Sequence, residues 1–356
     1  MTARVITTGK RLLAAFGALV CAGAATPGVA QDGEPVAARY GVAPWTEAVV
    51  SVAEFEPATR LFRQAGGWRL LQSGELARQQ LDYWALPPEV SGSFERWCAP
   101  LAETGCIRFI SLEGIDQQPV RPAARAWDTG GIYSIMVRSN DVRALYQQAL
   151  ALGWWAESPP IRFQFGASDL RNIVLTGPHG IHIAAYERIT PDFTAFPLGR
   201  ISQGFNAMRM VRDRATARDF YAEQLGFDLL FDSTSEPEEP AFSNFSIPYN
   251  LTPATVRAAA ALQPALPGET GRVEVMQITG FTGHDHSERA ALPNLGIISV
   301  RYPVRDLAAY RAFLDRKGVA LVHEAREVAI PGIGMVDIFA VRDPDGNLTE
   351  FYGDSD

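Results

Sequence analysis

Histidine and cysteine are the side chains best suited to holding a metal or attacking a substrate, and this chain has five of the first and three of the second. His284-Asp285-His286 has the His-x-His spacing that occurs in metal sites. It lies in a polar linker without a third ligand, so it reads as a solvated turn. His179 and His182 flank the turn that begins at Gly177-Pro178, and alternation along the following strand puts His182 on the face of Ala184. It could point into a pocket, but a satisfied structural histidine is the plainer reading. His323 sits on a short apolar run and carries no signal of its own. Cys98 and Cys106 have no neighbouring histidine that would make either a nucleophile.

The first thirty residues change how those cysteines read. Arg4, Lys10 and Arg11 form a basic start, Leu12 to Ala25 is apolar and small, and Gly28-Val29-Ala30 supplies small residues before a cleavage point. This is the pattern of a secretory signal, residues 1–30, cut after Ala30, and it directs the chain to a periplasm or the exterior. A lipoprotein anchored at Cys21 is the alternative, disfavoured by the bulky Val20 before it. In an oxidising compartment the remaining pair, Cys98 and Cys106, suggests a disulfide closing a short loop; two buried thiols are the other reading.

Loss of the leader takes the formal charge from −8 to −11. An acidic surface without a basic tract argues against a nucleic-acid partner. Hydrophobic content of 47% with 20% charged residues is that of a globular chain. Beyond the leader no apolar run approaches the roughly 18–20 residues that cross a bilayer, so the mature chain has no expected membrane span.

Four segments repeat one order: a strand-like run, a polar break, an amphipathic helix ending at Gly plus an apolar residue, then further strand-like runs. They start at Glu47, Ile132, Asn206 and Ser299, and their helices close at Gly67-Trp68, Gly153-Trp154, Gly226-Phe227 and Gly318-Val319. β-branched starts suit strands, Asp213 and Asp306 can cap the helices that follow, and the terminal Gly takes the left-handed conformation that stops each one. The period is longer than that of a solenoid, so the repeats are α+β modules of βαβββ form. Taken in pairs they divide the chain into two halves, 40–190 and 195–356, the second with an insertion at 232–271.

The fourth module ends in Val341-Arg-Asp-Pro-Asp-Gly-Asn-Leu-Thr-Glu350-Phe-Tyr, a tight turn followed by an alternating strand. The second carries a degraded copy between Thr176 and Tyr186. With these residues the chain resembles the vicinal oxygen chelate superfamily, which includes glyoxalase I, bleomycin-resistance proteins and extradiol dioxygenases; the resemblance covers nearly all of 45–353. It implies two curved-sheet halves around pockets, and a divalent metal held by residues at the start of the first strand and in the last strand of each module. Those places here hold Glu47, Ile132, Asn206 and Ser299, then approximately Ser111, Ala184, Gln277 and Glu350. No histidine is among them, and one carboxylate with neutral oxygens is a poor site for zinc or iron. No cofactor is therefore expected, an oxygen-rich divalent-metal site being the alternative.

The positions carried over from that resemblance define a candidate pocket in the C-terminal half. Alternation joins Met208 and Met210 to Asn206, Arg301 to Ser299, and Tyr352 to Glu350, while Gln277 faces with Val275 and Thr279. Glu350 would act as a general base, with Arg301 and Asn206 steering an oxyanion; Gln277, Ser299, Met208, Met210 and Tyr352 would contact the ligand. An internal Arg301–Glu350 ion pair is the purely structural reading of the same residues. Within the insertion, Thr252-Pro253 predicts a helix over 252–262, and Phe242, Phe245 and Tyr249 could cover an apolar ligand. The expected function is binding of a small, partly apolar organic molecule, with or without metal-independent lyase or isomerase chemistry. The alternatives are a metal-dependent dioxygenase or glyoxalase-type lyase with an unorthodox site, and a non-catalytic interaction module.

Overall fold

A computed structural model describes residues 36–122, 125–264 and 268–355; the expected leader, 1–30, lies outside them. A short helix α1 (Val36–Arg39) precedes four units. The first is β1 (Glu47–Ser51), α2 (Phe55–Gln64), β2 (Arg69–Glu75), an extra helix α3 (Arg78–Tyr83), β3 (Ser91–Cys98) and β4 (Cys106–Glu113). The second is β5 (Ile132–Arg138), α4 (Val142–Ala151), β6 (Ile161–Phe165), β7 (Ser168–Thr176) and β8 (His182–Thr190). The third is β9 (Gly204–Met210), α5 (Arg214–Asp219) extended by a π-helical turn, β10 (Asp228–Ser235), β11 (Val256–Gln263) and β12 (Arg272–Thr279). The fourth is β13 (Gly296–Pro303), α6 (Leu307–Arg316), β14 (Leu321–Ile330), β15 (Gly334–Arg342) and β16 (Leu348–Asp354).

Local chemistry explains where the helices begin and end. Asp213 and Asp306 accept hydrogen bonds from the backbone N–H groups of Thr216 (2.7 Å) and Ala309 (3.0 Å), satisfying donors the first turn leaves free. Asp141 does the same for Ala144 at 3.0 Å. Gly153 and Gly318 have φ of +80° and +74° with open space around them, so the left-handed backbone, not crowding, selects glycine there.

In every unit the first and last strands pair in parallel: β1 with β4, β5 with β8, β9 with β12 and β13 with β16. Two antiparallel seams then join units into eight-stranded sheets, and these seams do not follow the two halves of the chain. β1 pairs with β13 and β5 with β9, so one sheet is built from the first and fourth units and the other from the second and third. We call them the outer and inner sheets. The expected halves 40–190 and 195–356 are thus not the sheet units. Buried charge is one reason for the partnership: Glu47 stands directly opposite Arg301 across the outer seam.

The central core lies between the convex faces of the two sheets and takes in the buried sides of the helices, with Trp45, Phe62, Trp154, Tyr302 and Tyr310 among its larger members. Each concave face has a separate cluster. Cys98 and Cys106 form a disulfide, with Cα atoms 4.4 Å apart, closing the loop between β3 and β4. The insertion is shorter than expected. Residues 256–262, read as the end of a helix, belong instead to β11, bonded on one side to β10 and on the other to β12. An Ala-rich run favours helix in isolation, but two ladders and burial of Ala259 to Leu262 outweigh that preference.

Candidate functional site

The outer concave face carries a continuous buried ion network. Glu47 accepts from Arg108 Nε (2.7 Å), Arg96 Nε (2.9 Å) and Arg301 Nη1 (2.9 Å). Arg301 Nε donates to Glu350 at 2.7 Å, and Glu350 also accepts from Ser299 Oγ (2.9 Å) and Trp84 Nε1 (3.0 Å). Glu47, Arg108 and Arg301 are 0% exposed and Glu350 is 1%. Burial pushes the Glu47 carboxyl up, yet the guanidiniums of Arg108, Arg301 and Arg96 outweigh it and hold the pKa at about 2. Burial alone would weaken the Arg301 charge, but the Glu350 and Glu47 carboxylates hold it above the ordinary arginine value. Trp84, just past α3, closes over the network, with the Arg301 guanidinium 5.5 Å from its ring centroid.

A divalent metal does not fit here. The Arg301 guanidinium already lies between the two carboxylates and bonds one oxygen of each, where a metal would need open lone pairs. Among the described residues no group of three or more His, Cys, Asp or Glu is arranged to hold an ion. The ion pair expected as the structural alternative is therefore present, enlarged to five charged residues by Glu47, Arg96 and Arg108.

The inner concave face is different in kind. Met136, Met208, Met210, Met276, Ala184 and Phe205 form a soft apolar wall. Set into it, Glu274 on β12 accepts a hydrogen bond from Asn206 Nδ2 on β9 at 2.9 Å, leaving Asn206 Oδ1 buried without a partner. Taken as a whole residue Glu274 is half-buried. Burial raises its pKa from 4.5 to about 7, against the opposing influence of Asn206 and Arg272. Tyr186 lies close enough to feel that charge; burial first, and Glu274 second, push its hydroxyl above the ordinary range, so it stays a neutral donor. From the insertion, Phe245 and Ile247 pack onto the wall at 6% and 4% exposure, while Phe242 and Tyr249 remain exposed. At the rim, a cleft of about 350 Å³ is lined by Trp127, Gln277, Ile278, Phe281 and His284; Ile278 shares the face of Glu274.

The residues expected in one pocket are divided between the two sheets. Arg301, Ser299, Glu350 and Tyr352 lie on the outer concave face; Asn206, Met208 and Met210 lie on the inner one. Gln277 lies with neither group: its amide bonds the backbone of Arg212 and Arg214, and Val275, on the same face, belongs to the central core. The acid in register with Met208 is Glu274. It is readable in Arg272-Val-Glu-Val-Met as the polar member of an alternating run, three places before the residue chosen. Ser111 likewise gives way to Arg108, its hydroxyl turning to the Ala53 carbonyl (3.1 Å).

Other features are structural. In the turn after β15, Asp343 accepts from Asn347 and from the Tyr221 hydroxyl (2.9 Å), and Asp345 accepts from Arg212. The turn therefore ties an outer-sheet unit to an inner-sheet one. His182 is 1% exposed, stacks on Tyr133 and shares a hydrogen bond with its carbonyl; burial, helped by Arg121, lowers its pKa to about 3. The His284–His286 segment is only partly the solvated turn expected. His284 is exposed, but His286 is buried because its backbone N–H bonds the Thr129 carbonyl (2.8 Å), bringing its ring to 3.8 Å from Asp128.

Residues 205–351 match the family model described as Glyoxalase/Bleomycin resistance protein/Dioxygenase superfamily. No curated protein matches the chain. Among solved structures, glyoxalase I from Zea mays superposes with a TM-score of 0.56 at 15% identity, covering 87% of this chain and 92% of that one. A putative dioxygenase from Bacillus subtilis subsp. subtilis str. 168 gives 0.53 at 10% identity, covering 88% and 86%. Identities this low speak for the fold alone. The chain has the vicinal-oxygen-chelate fold, and its third and fourth units, residues 205–351, carry the sequence pattern of the Glyoxalase/Bleomycin resistance protein/Dioxygenase superfamily.

Proposed function

We propose that the chain is a secreted protein that binds a small, partly apolar organic molecule on the concave face of the inner sheet, where Glu274 moves a proton without help from a metal. One observation carries this reading: a carboxyl with a pKa of about 7, set in a methionine-rich wall beside Asn206 and Tyr186. A base is most effective when its pKa lies near the working pH, and an apolar wall with few polar groups is how small-molecule sites are built. Glu274 would take a proton from carbon while the neutral Tyr186 hydroxyl donates to the oxygen on which charge develops. The reaction class is isomerisation or lyase elimination of an enolisable substrate. Glu350 is less suited to this role, because three donors occupy its carboxylate behind Trp84. Secretion rests on the leader pattern of residues 1–30.

The test is a thermal-shift and solvent-deuterium-exchange screen of enolisable aromatic and aliphatic acids with wild-type protein and Glu274→Gln. Retained binding with lost exchange supports the assignment. Exchange at the wild-type rate in the variant removes Glu274 as the base, and stabilisation by no compound removes the ligand site.

A further inference from the structure

The outer sheet offers a metal no free carboxylate beside Arg301, but its ion network is incomplete in a way that points to a different guest. Three guanidiniums, of Arg96, Arg108 and Arg301, meet two carboxylates, of Glu47 and Glu350, so ionised partners leave one positive charge unmatched. Two hydrogen-bonding positions on these cations are also unused. Arg108 Nη1 and Arg301 Nη2 are buried without a partner, on side chains that are 0% exposed. On α3, Gln80 is 0% exposed and unbonded through both amide atoms; its spacing puts it on the helix face of Tyr83 and Trp84, which cover the network. The same helix contributes Tyr83, whose hydroxyl faces Glu350 and Arg301 but makes no well-formed hydrogen bond. Orphaned buried donors are rare and costly, and on charged groups more so. Water could satisfy the hydrogen bonds but would leave the charge unbalanced in a dry enclosure.

We propose that the space between α3 and the floor of the outer sheet holds one small oxyanion of carboxylate chemistry, the size of formate or acetate, bound by Arg108 and Arg301 from the sheet and by Tyr83 and Gln80 from the helix. The Arg301 guanidinium then bridges three anionic groups, Glu47, Glu350 and the guest, and Trp84 seals the site from solvent. The site is separate from the inner-sheet face that carries the proposed reaction, so either reading can fail without the other.

The experiment uses the full mature chain, desalted extensively in chloride buffer. Denaturation should release about one equivalent of a small carboxylate or bicarbonate, measured by ion chromatography. Formate or acetate added at constant ionic strength should raise the unfolding temperature in proportion to the logarithm of its concentration where chloride does not. The double variant Gln80→Leu, Tyr83→Phe removes the helix's polar groups while keeping its packing and leaving the arginines intact. It should raise the formate concentration needed for a given rise in unfolding temperature at least about ten-fold. Release of no anion together with equal stabilisation by formate and chloride overturns the proposal and assigns the space to water. Anion-specific stabilisation that is unchanged in the double variant overturns the location.

Discussion

Replacing Glu274 with Gln should make the protein more stable at alkaline pH and leave it unchanged at acid pH. The side chains are nearly isosteric, and the amide can still meet Asn206, so the difference isolates the carboxylate charge. In the unfolded chain the group titrates near 4.5; in the folded chain it titrates at about 7. Below pH 4.5 both states hold the proton and Glu274 costs nothing relative to Gln. Between 4.5 and 7 the folded state keeps a proton that the unfolded state has released, so wild-type stability falls as pH rises, and the loss is complete above 7. At about 1.4 kcal/mol per pH unit the full difference is about 3 kcal/mol, reduced to about 2 kcal/mol for a half-buried group that solvent partly screens. Urea unfolding of both proteins at about pH 4 and about pH 8.5 reads this directly, because the remaining groups titrate alike in the two chains and cancel. The stability gained by Gln should grow from near zero to about 2 kcal/mol, while proton-transfer activity is lost, the exchange of function for stability expected at a working site. A difference that stays flat with pH would refute the elevated pKa and with it the assignment of Glu274 as base.

The outer network should respond with the opposite sign. Glu47, held at about 2, contributes stability that is present above pH 4.5 and lost as pH falls from there towards 2; Glu47→Gln should lack that acid limb in a pH series of urea midpoints. The same change should cost about 3–5 kcal/mol at neutral pH, because it leaves three buried guanidiniums with one carboxylate. Reduction of Cys98–Cys106, or Cys98→Ser with Cys106→Ser, should cost about 2–3 kcal/mol from the short loop that the bond closes, read as a lower urea midpoint with an unchanged far-UV spectrum. Phe245→Ala should cost about 3 kcal/mol if the insertion is a fixed cover on the methionine wall; a loss below about 1 kcal/mol would show that the segment lies open in solution.

The parts of the fold that follow from neighbouring residues were readable, and the parts set by distant ones were not. Asp213 and Asp306 announce their helices because a cap needs only the next three residues, and Gly153 and Gly318 announce the ends for the same reason. The alternation of Arg301 with Ser299, and of Met208 with Met210, correctly assigned faces within single strands. Which first strand meets which is a choice among four similar strands, decided by complementarity across the seam. Reading in chain order placed Ser299 and Glu350 beside Asn206, whereas the Glu47–Arg301 register places them beside Arg108. The run at 256–262 failed for a related reason: its alanines favour helix, and only the two flanking strands make it a strand.

That pairing also explains why the chemistry is divided. Each sheet has one concave face, and this sequence gives the two faces different electrostatics. On the outer face, acids and bases are supplied together, from β1, β3, β4, β13 and β16, and every carboxylate is paired, leaving one guanidinium charge in excess under a tryptophan seal. Groups tied into such a network cannot easily change protonation state, because each change would strand a partner's charge in a dry site. On the inner face β12 supplies an acid with no guanidinium bonded to it among the described residues, only the Asn206 amide, so the proton can come and go near neutrality. In the proposed function, rigidity and reactivity thus belong to different sheets. A substitution that gave Glu274 its own arginine, such as Met208→Arg, should lower its pKa and extinguish proton transfer while leaving the outer face and the fold's central core untouched.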